Sequence, residues 1–558
     1  MDSQLPLLEI NGSWDDVFVG TGRRHLEKLL PNFLASRRWF GGKARIIRAA
    51  HISDVLPMRP APISYAVVQV IYNDGEPEVY LIPLGFGNEE HVRSTESAGA
   101  GSILARLELK KGEARTSGVL YDAFGDDALS TMTLDMIGSK RRFHGEIGQL
   151  VGRPSRSFRR MRNQTAEPLK VAVLKADQSN STLLYGDKFL LKQFRRLAEG
   201  VNPELEIGEF LTDAVAFAHS PPLAGAIEYV APQRPIVTVG VLQGYVHNQG
   251  TAWNYTVEAV ESYFEGILVQ QPWPELPPDL LPRASLLKLA AGAAPHKADA
   301  MFGSYLASAE LLGRRSAEMH IALATPTDRP NFGQEPITPY YQRSLYQTMR
   351  NTAVRTLSLL KRKIGGLAEN VRPRAEEVLA RESEINKRLR QVAERKINAM
   401  RIRCHGDYHL GQVLHTGNDF MIIDYEGEPT RSINERQIKA SPFRDVAGMV
   451  RSFDYACYSA LADQIAGLSR GSVELQRLRG WMQFWTSWTS AAFLRAYLAV
   501  ARGQSFIPAS IEESQVLLDV YTLEKVLYEL RYELNNRPDW SRIPLHGILE
   551  LLDEAAAP

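Results

Sequence analysis

Apolar runs of strand length fill the first half of the chain, and apolar positions at helical spacing fill the second. A helical pattern over His25–Ala35 leads into strand-like runs at Ile46–Leu56, Ser64–Tyr72 and Glu78–Ile82, punctuated by Pro, Asn, Asp and Gly. Between them, Arg37-Arg38-Trp39-Phe40-Gly41-Gly42-Lys43 reads either as a tight turn with its aromatics in the core or as a binding cluster. Gly99-Ala100-Gly101-Ser102 fits no phosphate-binding loop and reads as a connector. A further helix is expected near Ala128–Ile137, and the arginines from Arg141 to Arg162 read as a solvated basic face.

A second group of strands follows. Leu169–Lys175, a polar tip at 176–180, Ser181–Tyr185, a Gly186-Asp187 turn and Lys188–Phe194 form a strand–tip–strand–turn–strand series. Asn202-Pro203 carries cap and first-turn residues for a helix containing Glu204, Glu206 and Glu209. Ile227–Val230 and Ile236–Gln243 read as two more strands, with Gln243-Gly244-Tyr245-Val246 as the hinge out of them. From about residue 250 helices dominate, with expected spans at Tyr305–Leu323, Tyr340–Ile364, Pro373–Met400 and Val446–Leu461. The pattern predicts an α+β protein with an N-terminal α+β cap (1–110), a β-sheet lobe (111–243) and a mainly helical lobe (244–558).

Candidate chemistry concentrates in residues 401–429, RIRCHGDYHLGQVLHTGNDFMIIDYEGEP. A polar loop from His405 to Gln412 precedes a hairpin turned by Gly417-Asn418-Asp419, and the strand Phe420–Ile423 ends in Asp424. Asp407 is followed five residues later by the amide of Gln412, and Asp424 closes the next strand. Protein kinases use the same parts: an acid that orients the attacking hydroxyl, an amide, and a metal-binding acid after a short hairpin. Oxygen donors of this kind suit Mg²⁺, so the spacing predicts phosphoryl transfer in a two-lobed, protein-kinase-like fold.

Lys192 strengthens this expectation. It lies among apolar residues in the third strand of its series, where a kinase holds the lysine that binds the α- and β-phosphates of ATP. The bland alternative is an edge-strand lysine that discourages aggregation. Ser179, Asn180, Ser181 and Thr182 stand where a glycine-rich loop would be and can bind phosphate through hydroxyls, an amide and backbone N–H groups. Glu206 is the expected partner of Lys192, and Gln243 and Tyr245 mark the hinge that would read adenine. Glu426 and His405 are candidate acceptor contacts, whereas His320 reads as structural and Asp445 as a helix cap. In Tyr521–Leu534, Leu523, Leu527, Leu530 and Leu534 form one stripe, and Tyr521, Lys525, Tyr528 and Tyr532 form another on the opposite face. The second stripe reads as a wall of a carbohydrate cleft, or as a buried face with satisfied tyrosines.

Composition narrows the partners. A formal charge of +1 gives no field that would steer nucleic acid or an acidic membrane surface. Cys404 and Cys457 are the only cysteines, so no disulfide framework is expected. The N-terminus has acids where a signal peptide would be basic, and the most apolar helix, near Trp481–Val500, carries Arg495. A cytoplasmic location is the expectation.

RRWFGGKAR (37–45), QSNST with LLKQFRR and GVNPELE (178–206), RCHGDYHLGQVL, IDYEGEP, SPFRDVAGMVRSFDYA (441–456) and EKVLYELRYELNNRPDW (524–540) together resemble bacterial maltokinases. They also resemble the maltokinase region of trehalose synthase fusions. The resemblance implies an aminoglycoside-phosphotransferase-like kinase fold and transfer of the ATP γ-phosphate to the anomeric hydroxyl of maltose, feeding α-glucan synthesis. It implies Asp407 as catalytic base, Gln412 and Asp424 as Mg²⁺ ligands, and Lys192, oriented by Glu206, on the ATP phosphates. Trehalose synthase is then a candidate partner. Another small acceptor such as glucosamine or an aminoglycoside uses the same chemistry, and a non-catalytic glycan-binding role is the alternative from a different class.

Overall fold

The computed structural model describes residues 5–94, 102–162, 169–174, 180–270, 272–282, 284–462, 464 and 472–554. It divides into two compact units, Met1–His247 with Thr430–Glu435, and Asn248–Pro429 with Arg436–Pro558.

The first unit is built on two sheets. In the first, β1 (Leu7–Asn11), β5 (Ile103–Lys111), β6 (Ala114–Asp122), β4 (Glu78–Gly87), β3 (Ile63–Tyr72) and β2 (Ile47–Pro57) lie in that order, and β12 (Arg196–Leu197) joins β4. The expected end of the cap at residue 110 falls inside the β5–β6 hairpin, whose second strand continues the sheet to Asp122. The second sheet is wholly antiparallel: β7 (Arg142–His144), β8 (Gln149–Pro154), β13 (Leu223–Val230), β14 (Val237–Gly244), β11 (Phe189–Phe194), β10 (Asn180–Tyr185) and β9 (Val171–Leu174).

The near-continuous apolar sequence of β3 follows from burial on both faces. Ala66, Val68 and Val70 pack with Leu26, Leu30 and Leu34 of the helix Gly20–Ala35. Tyr65 and Val67, on the other face, share a core with Ile137, Leu150, Phe189 and Leu191 of the second sheet and its helix Asp127–Ser139. Polar ties cross the same boundary. Asp54, 1% exposed, accepts from the backbone N–H groups of Glu146, Ile147 and Gly148 and from the Tyr229 hydroxyl.

Several boundaries moved. The first helix begins at Gly20, five residues before His25, because Gly22 sits against Asp16, where a Cβ would fall 2.4 Å from the carbonyl oxygen. Trp39 and Phe40 serve as packing groups. Phe40 is buried, and Trp39 lies over the Arg195 guanidinium, which Phe124 covers as well. Arg153 of the basic stretch is exposed and paired with Glu228 and Glu209.

The second unit is helical. Tyr305–Leu323 forms as expected, and Pro339–Lys363 begins one residue before its expected start. The span Pro373–Met400 divides into Arg372–Ala380 and Glu382–Glu394, followed by an extended approach to β16 (Met400–Arg401), which pairs with β15 (Glu335–Pro336). Gln342 ends the second of these helices by donating to the carbonyls of Val392 and Arg395. Among the described residues no helix is long and apolar enough to cross a membrane. The helices Tyr305–Leu323 and Val473–Val500 approach closely at Gly313, where a Cβ would lie 2.1 Å from the Phe493 carbonyl oxygen. Gly313→Ala should therefore cost about 1–3 kcal/mol by overpacking, measured as a lowered thermal midpoint.

Candidate active site

The loop from His405 to Gln412 is held from below by the first turn of the helix Phe443–Ala460. Asp445, read as an N-cap or first-turn acid, is the third residue of that helix and lies in its first turn. Its carboxylate, 1% exposed, accepts from the N–H of His405 at 2.7 Å and of Gly406 at 2.9 Å. His320, fully buried, completes the cradle with Nε2 at 3.1 Å from the same carboxylate and Nδ1 at 2.9 Å from the Tyr497 hydroxyl. Burial alone would raise the Asp445 carboxyl, but His320 and the Gly406 N–H outweigh it and hold it below the ordinary value. The loop packs so tightly that a Cβ on Gly448 would lie 2.5 Å from the Tyr408 carbonyl oxygen.

His405 belongs to this framework. It is 1% exposed, Nε2 donates to the Ile423 carbonyl at 2.9 Å, and Nδ1 accepts the Asp407 N–H at 3.4 Å. With both ring nitrogens engaged, it orients Asp407 and the adjoining strand and offers no free group to an acceptor. This corrects its expected role.

Asp407 meets Lys525 of the helix Ile511–Asn536: Nζ donates to Oδ1 at 3.2 Å, with each side chain 24% exposed. Burial pushes the Asp407 carboxyl up, but the Lys525 ammonium outweighs it and holds it at about 2. His409 is driven down, first by burial. Its Nδ1 accepts the Gly411 N–H at 3.1 Å, so the neutral ring carries its proton on Nε2.

These groups open onto a cavity of about 430 Å³ whose wall includes Trp253, Tyr455, Tyr528, Tyr532 and Trp540, a volume in the range of small-molecule sites. The leucine stripe of Ile511–Asn536 is buried as expected. Of the opposite stripe, Lys525, Tyr528 and Tyr532 reach the cavity. Tyr521 does not: it is 2% exposed, lies beside the Tyr341 phenol, and burial pushes it well above its ordinary value. It corrects the expectation of a four-residue binding face. Two acids on the wall are neutralised in place, Glu529 by Arg451 at 3.0 Å and Glu533 by Arg537 at 2.7 Å. The sequence reading missed Trp253, Tyr455, His409, Glu529 and Glu533. Only the last two carried a signal, as neighbours of Tyr528 and Tyr532 on one helix.

The hairpin brings the two expected metal ligands to one end. β17 (Val413–His415) pairs with β18 (Phe420–Ile422), and the Ile423 N–H donates to the Gln412 carbonyl at 3.0 Å. Gln412 therefore sits opposite the residue preceding Asp424. Asp424 has φ 65°, a left-handed conformation rare outside glycine and concentrated at functional sites. A carboxylate and an amide oxygen are hard donors of the kind that Mg²⁺ accepts. Beyond Asp424, Glu426 is half-buried with a carboxylate oxygen 3.9 Å from Arg436, and Glu428 is 3.6 Å from Arg444.

In the first unit, Lys192 is 9% exposed and lies opposite Thr182 on β10 and Val241 on β14, so the three share one sheet face. Gln243, two residues beyond Val241, is on that face too, and its amide donates to Glu204 at 2.7 Å. Glu204, in the helix Pro203–Glu209, is 1% exposed, while Glu206 is half-buried. Glu204 is thus an acid tied through Gln243 to the lysine-bearing face, two residues before Glu206, the expected partner of Lys192. Ser181 is engaged by Arg195, whose Nε donates to its Oγ at 2.7 Å. Asn180 and Thr182 are half-buried on β10, and Ser179 lies outside the described residues. At the hinge, the Tyr245 N–H is committed to the Lys188 carbonyl at 2.9 Å.

The family profile described as the maltokinase N-terminal cap domain matches residues 33–126. This stretch of the chain is thus similar to the cap of maltokinases. Two curated relatives named glucosamine kinase, from Streptacidiphilus jiangxiensis and Mycolicibacterium smegmatis, are 25% identical over 154 residues and 28% identical over 162. Those matches span 32% and 35% of the relatives' length, about a third of each. A solved structure described as glucosamine kinase in complex with glucosamine, ADP and inorganic phosphate is 16% identical, with 94% of this chain and 99% of that chain covered and a TM-score of 0.56. A crystal form of glucosamine kinase matches with the same TM-score. The chain thus shares the kinase-like fold of these structures, α+β with a helical C-terminal portion.

The ion pair gives a direct test. Lys525→Met should raise the Asp407 carboxyl from about 2, since burial then loses its main counterweight. Carboxyl-carbon NMR reads the change. In the parent protein the depressed value means that this pair contributes stability above about pH 4, lost as the pH falls through about 2.

Proposed function

We propose that the protein transfers the γ-phosphate of ATP to the anomeric hydroxyl of maltose, giving maltose 1-phosphate and ADP for α-glucan synthesis. In this reading it works in the cytoplasm, with trehalose synthase as a source of maltose. The observation that carries a neutral sugar over an aminated one is the charge balance of the cavity. Asp407, Glu529 and Glu533 each face a cation at 3.2 Å or less, namely Lys525, Arg451 and Arg537. No carboxylate among these three is left over for an ammonium group, and the aromatic wall suits the C–H faces of sugar rings. The maltokinase-type cap at residues 33–126 supports the same choice. The second reading is a glucosamine kinase, favoured by the names of the relatives.

In this mechanism Asp407 accepts a hydrogen bond from the attacking hydroxyl and takes its proton as the oxygen bonds to phosphorus. A carboxyl held at about 2 is a weak base, so its main work is orientation, with proton uptake late in the step. Lys525 keeps it ionised and aimed. Gln412 and Asp424 would hold Mg²⁺, which when bound neutralises charge on the phosphate oxygens. Lys192, on the face shared with Gln243 and Glu204, would bind the α- and β-phosphates, with Asn180, Ser181 and Thr182 nearby on β10.

An ADP-release assay across maltose, glucose, glucosamine and trehalose tests the reading. Maltose should have the highest kcat/KM, and a preference for glucosamine would replace it with the second reading. Asp407→Asn should lose about 10²–10⁴-fold in kcat while nucleotide affinity persists. Asp424→Ala should abolish the Mg²⁺-dependent part of nucleotide binding, and unchanged affinity would remove that residue from the metal site.

A further inference from the structure

Three helices of the second unit, Phe443–Ala460, Val473–Val500 and Arg542–Glu554, enclose another cavity of about 320 Å³. It shares no lining residue with the cavity beside Asp407. Arg451, Asp454, Gln483, Thr486, His546 and Glu550 supply its polar wall, so donors and acceptors alternate around it. Formal charges balance, with Arg451 and Arg479 against Asp454 and Glu550; Arg451 donates to Asp454 at 2.6 Å, and His546 lies 3.0 Å from Glu550. Met482 and Ile543 add an apolar patch. A wall with paired charges, many hydrogen-bonding groups and one apolar side matches a neutral polyhydroxylated molecule better than an anion or an amine. Burial, with Glu550 and Glu529 nearby, pushes the Asp454 carboxyl up to about 6 even against Arg451. A donating ligand hydroxyl would relieve that group.

Arg451 links this cavity to the first. It is 4% exposed, and while NH1 holds Asp454, Nε and NH2 hold Glu529 at 3.2 and 3.0 Å. Glu529 lines the Asp407 cavity one helical turn beyond Lys525, which pairs with Asp407. Gly547 makes room for the guanidinium, since a Cβ there would lie 2.8 Å from NH1.

We propose that this cavity is a second site for a neutral mono- or disaccharide, and that Arg451 couples its occupancy to the Asp407–Lys525 pair. A ligand that engages Asp454 changes how Arg451 divides itself between Asp454 and Glu529, and so the field at Lys525. The site stands on its own geometry, whereas the coupling rests on the Asp407 cavity being the acceptor site.

Calorimetric titration of the full chain with glucose, maltose and trehalose, without nucleotide, tests the proposal. At least one sugar should bind at two sites, with a cooperative factor of about fivefold or more between them. Thr486→Trp fills the second cavity and the near-isosteric Gln483→Leu removes an amide, so each should weaken one site at least tenfold and spare the other. Gly547→Ala should keep both sites and bring the cooperative factor below about twofold. A single site in the parent chain, or two sites untouched by both cavity variants, overturns the second site. Two sites still fully coupled in Gly547→Ala overturn the role of Arg451. Sugar binding that survives in the second cavity but is absent beside Asp407 supports the site and sinks the acceptor reading instead.

Discussion

A single buried carboxylate fixes the geometry on which the site depends. Asp445 accepts two consecutive backbone N–H groups, of His405 and Gly406, and His320 closes it from the other side. A carboxylate so deeply buried is tolerated only when its oxygens are hydrogen-bonded. Those bonds are also what hold Gly406 at φ 89°, the turn that sends Asp407 toward Lys525. His405 then carries the constraint across to Ile423, one residue before Asp424. Acid loop and hairpin end are therefore set by one connected network rather than by two independent pieces of local structure.

Electrostatics give the cavity its character. Each acid on its wall has a cation close by, and each of those cations comes from one of two helices, Phe443–Ala460 or Ile511–Asn536, or the residue that follows the second. The arrangement keeps Asp407 ionised at neutral pH while leaving the cavity near electrical balance. Aromatic residues supply the remaining surface. Such a site discriminates by shape and hydrogen bonding more than by charge.

In the first unit, the cap sheet and the lysine-bearing sheet share a core, so the cap is part of the framework that holds Lys192. Arg195 shows how closely the two are joined. It lies 2% exposed between Trp39 and Phe124, pairs with Asp122 of the first sheet, and reaches Ser181 of the second. The motif RRWFGGK, read in sequence as binding cluster or core, contributes Trp39 and Phe40 to this packing.

Much of the fold and part of the site were legible in the sequence. Apolar alternation and turn residues located β2, β3 and β4 of the first sheet and β9, β10, β11, β13 and β14 of the second, but not β1, β5, β6, β7, β8 or β12, and the leucine stripe located the buried side of Ile511–Asn536. Asp407, Gln412 and Asp424 could be read as one motif because they lie within one loop and one hairpin, where spacing along the chain constrains spacing in space. The rest was decided by tertiary structure. Lys525 meets Asp407 across 118 residues. Asp445 holds the loop rather than its own helix end. Glu204 is buried against Gln243, 39 residues away, and Tyr521 is buried where its helical repeat pointed to a cleft. Local periodicity records which side of an element is apolar. It does not record which distant side chain will neutralise a buried charge, because that depends on how loops bring separate elements together.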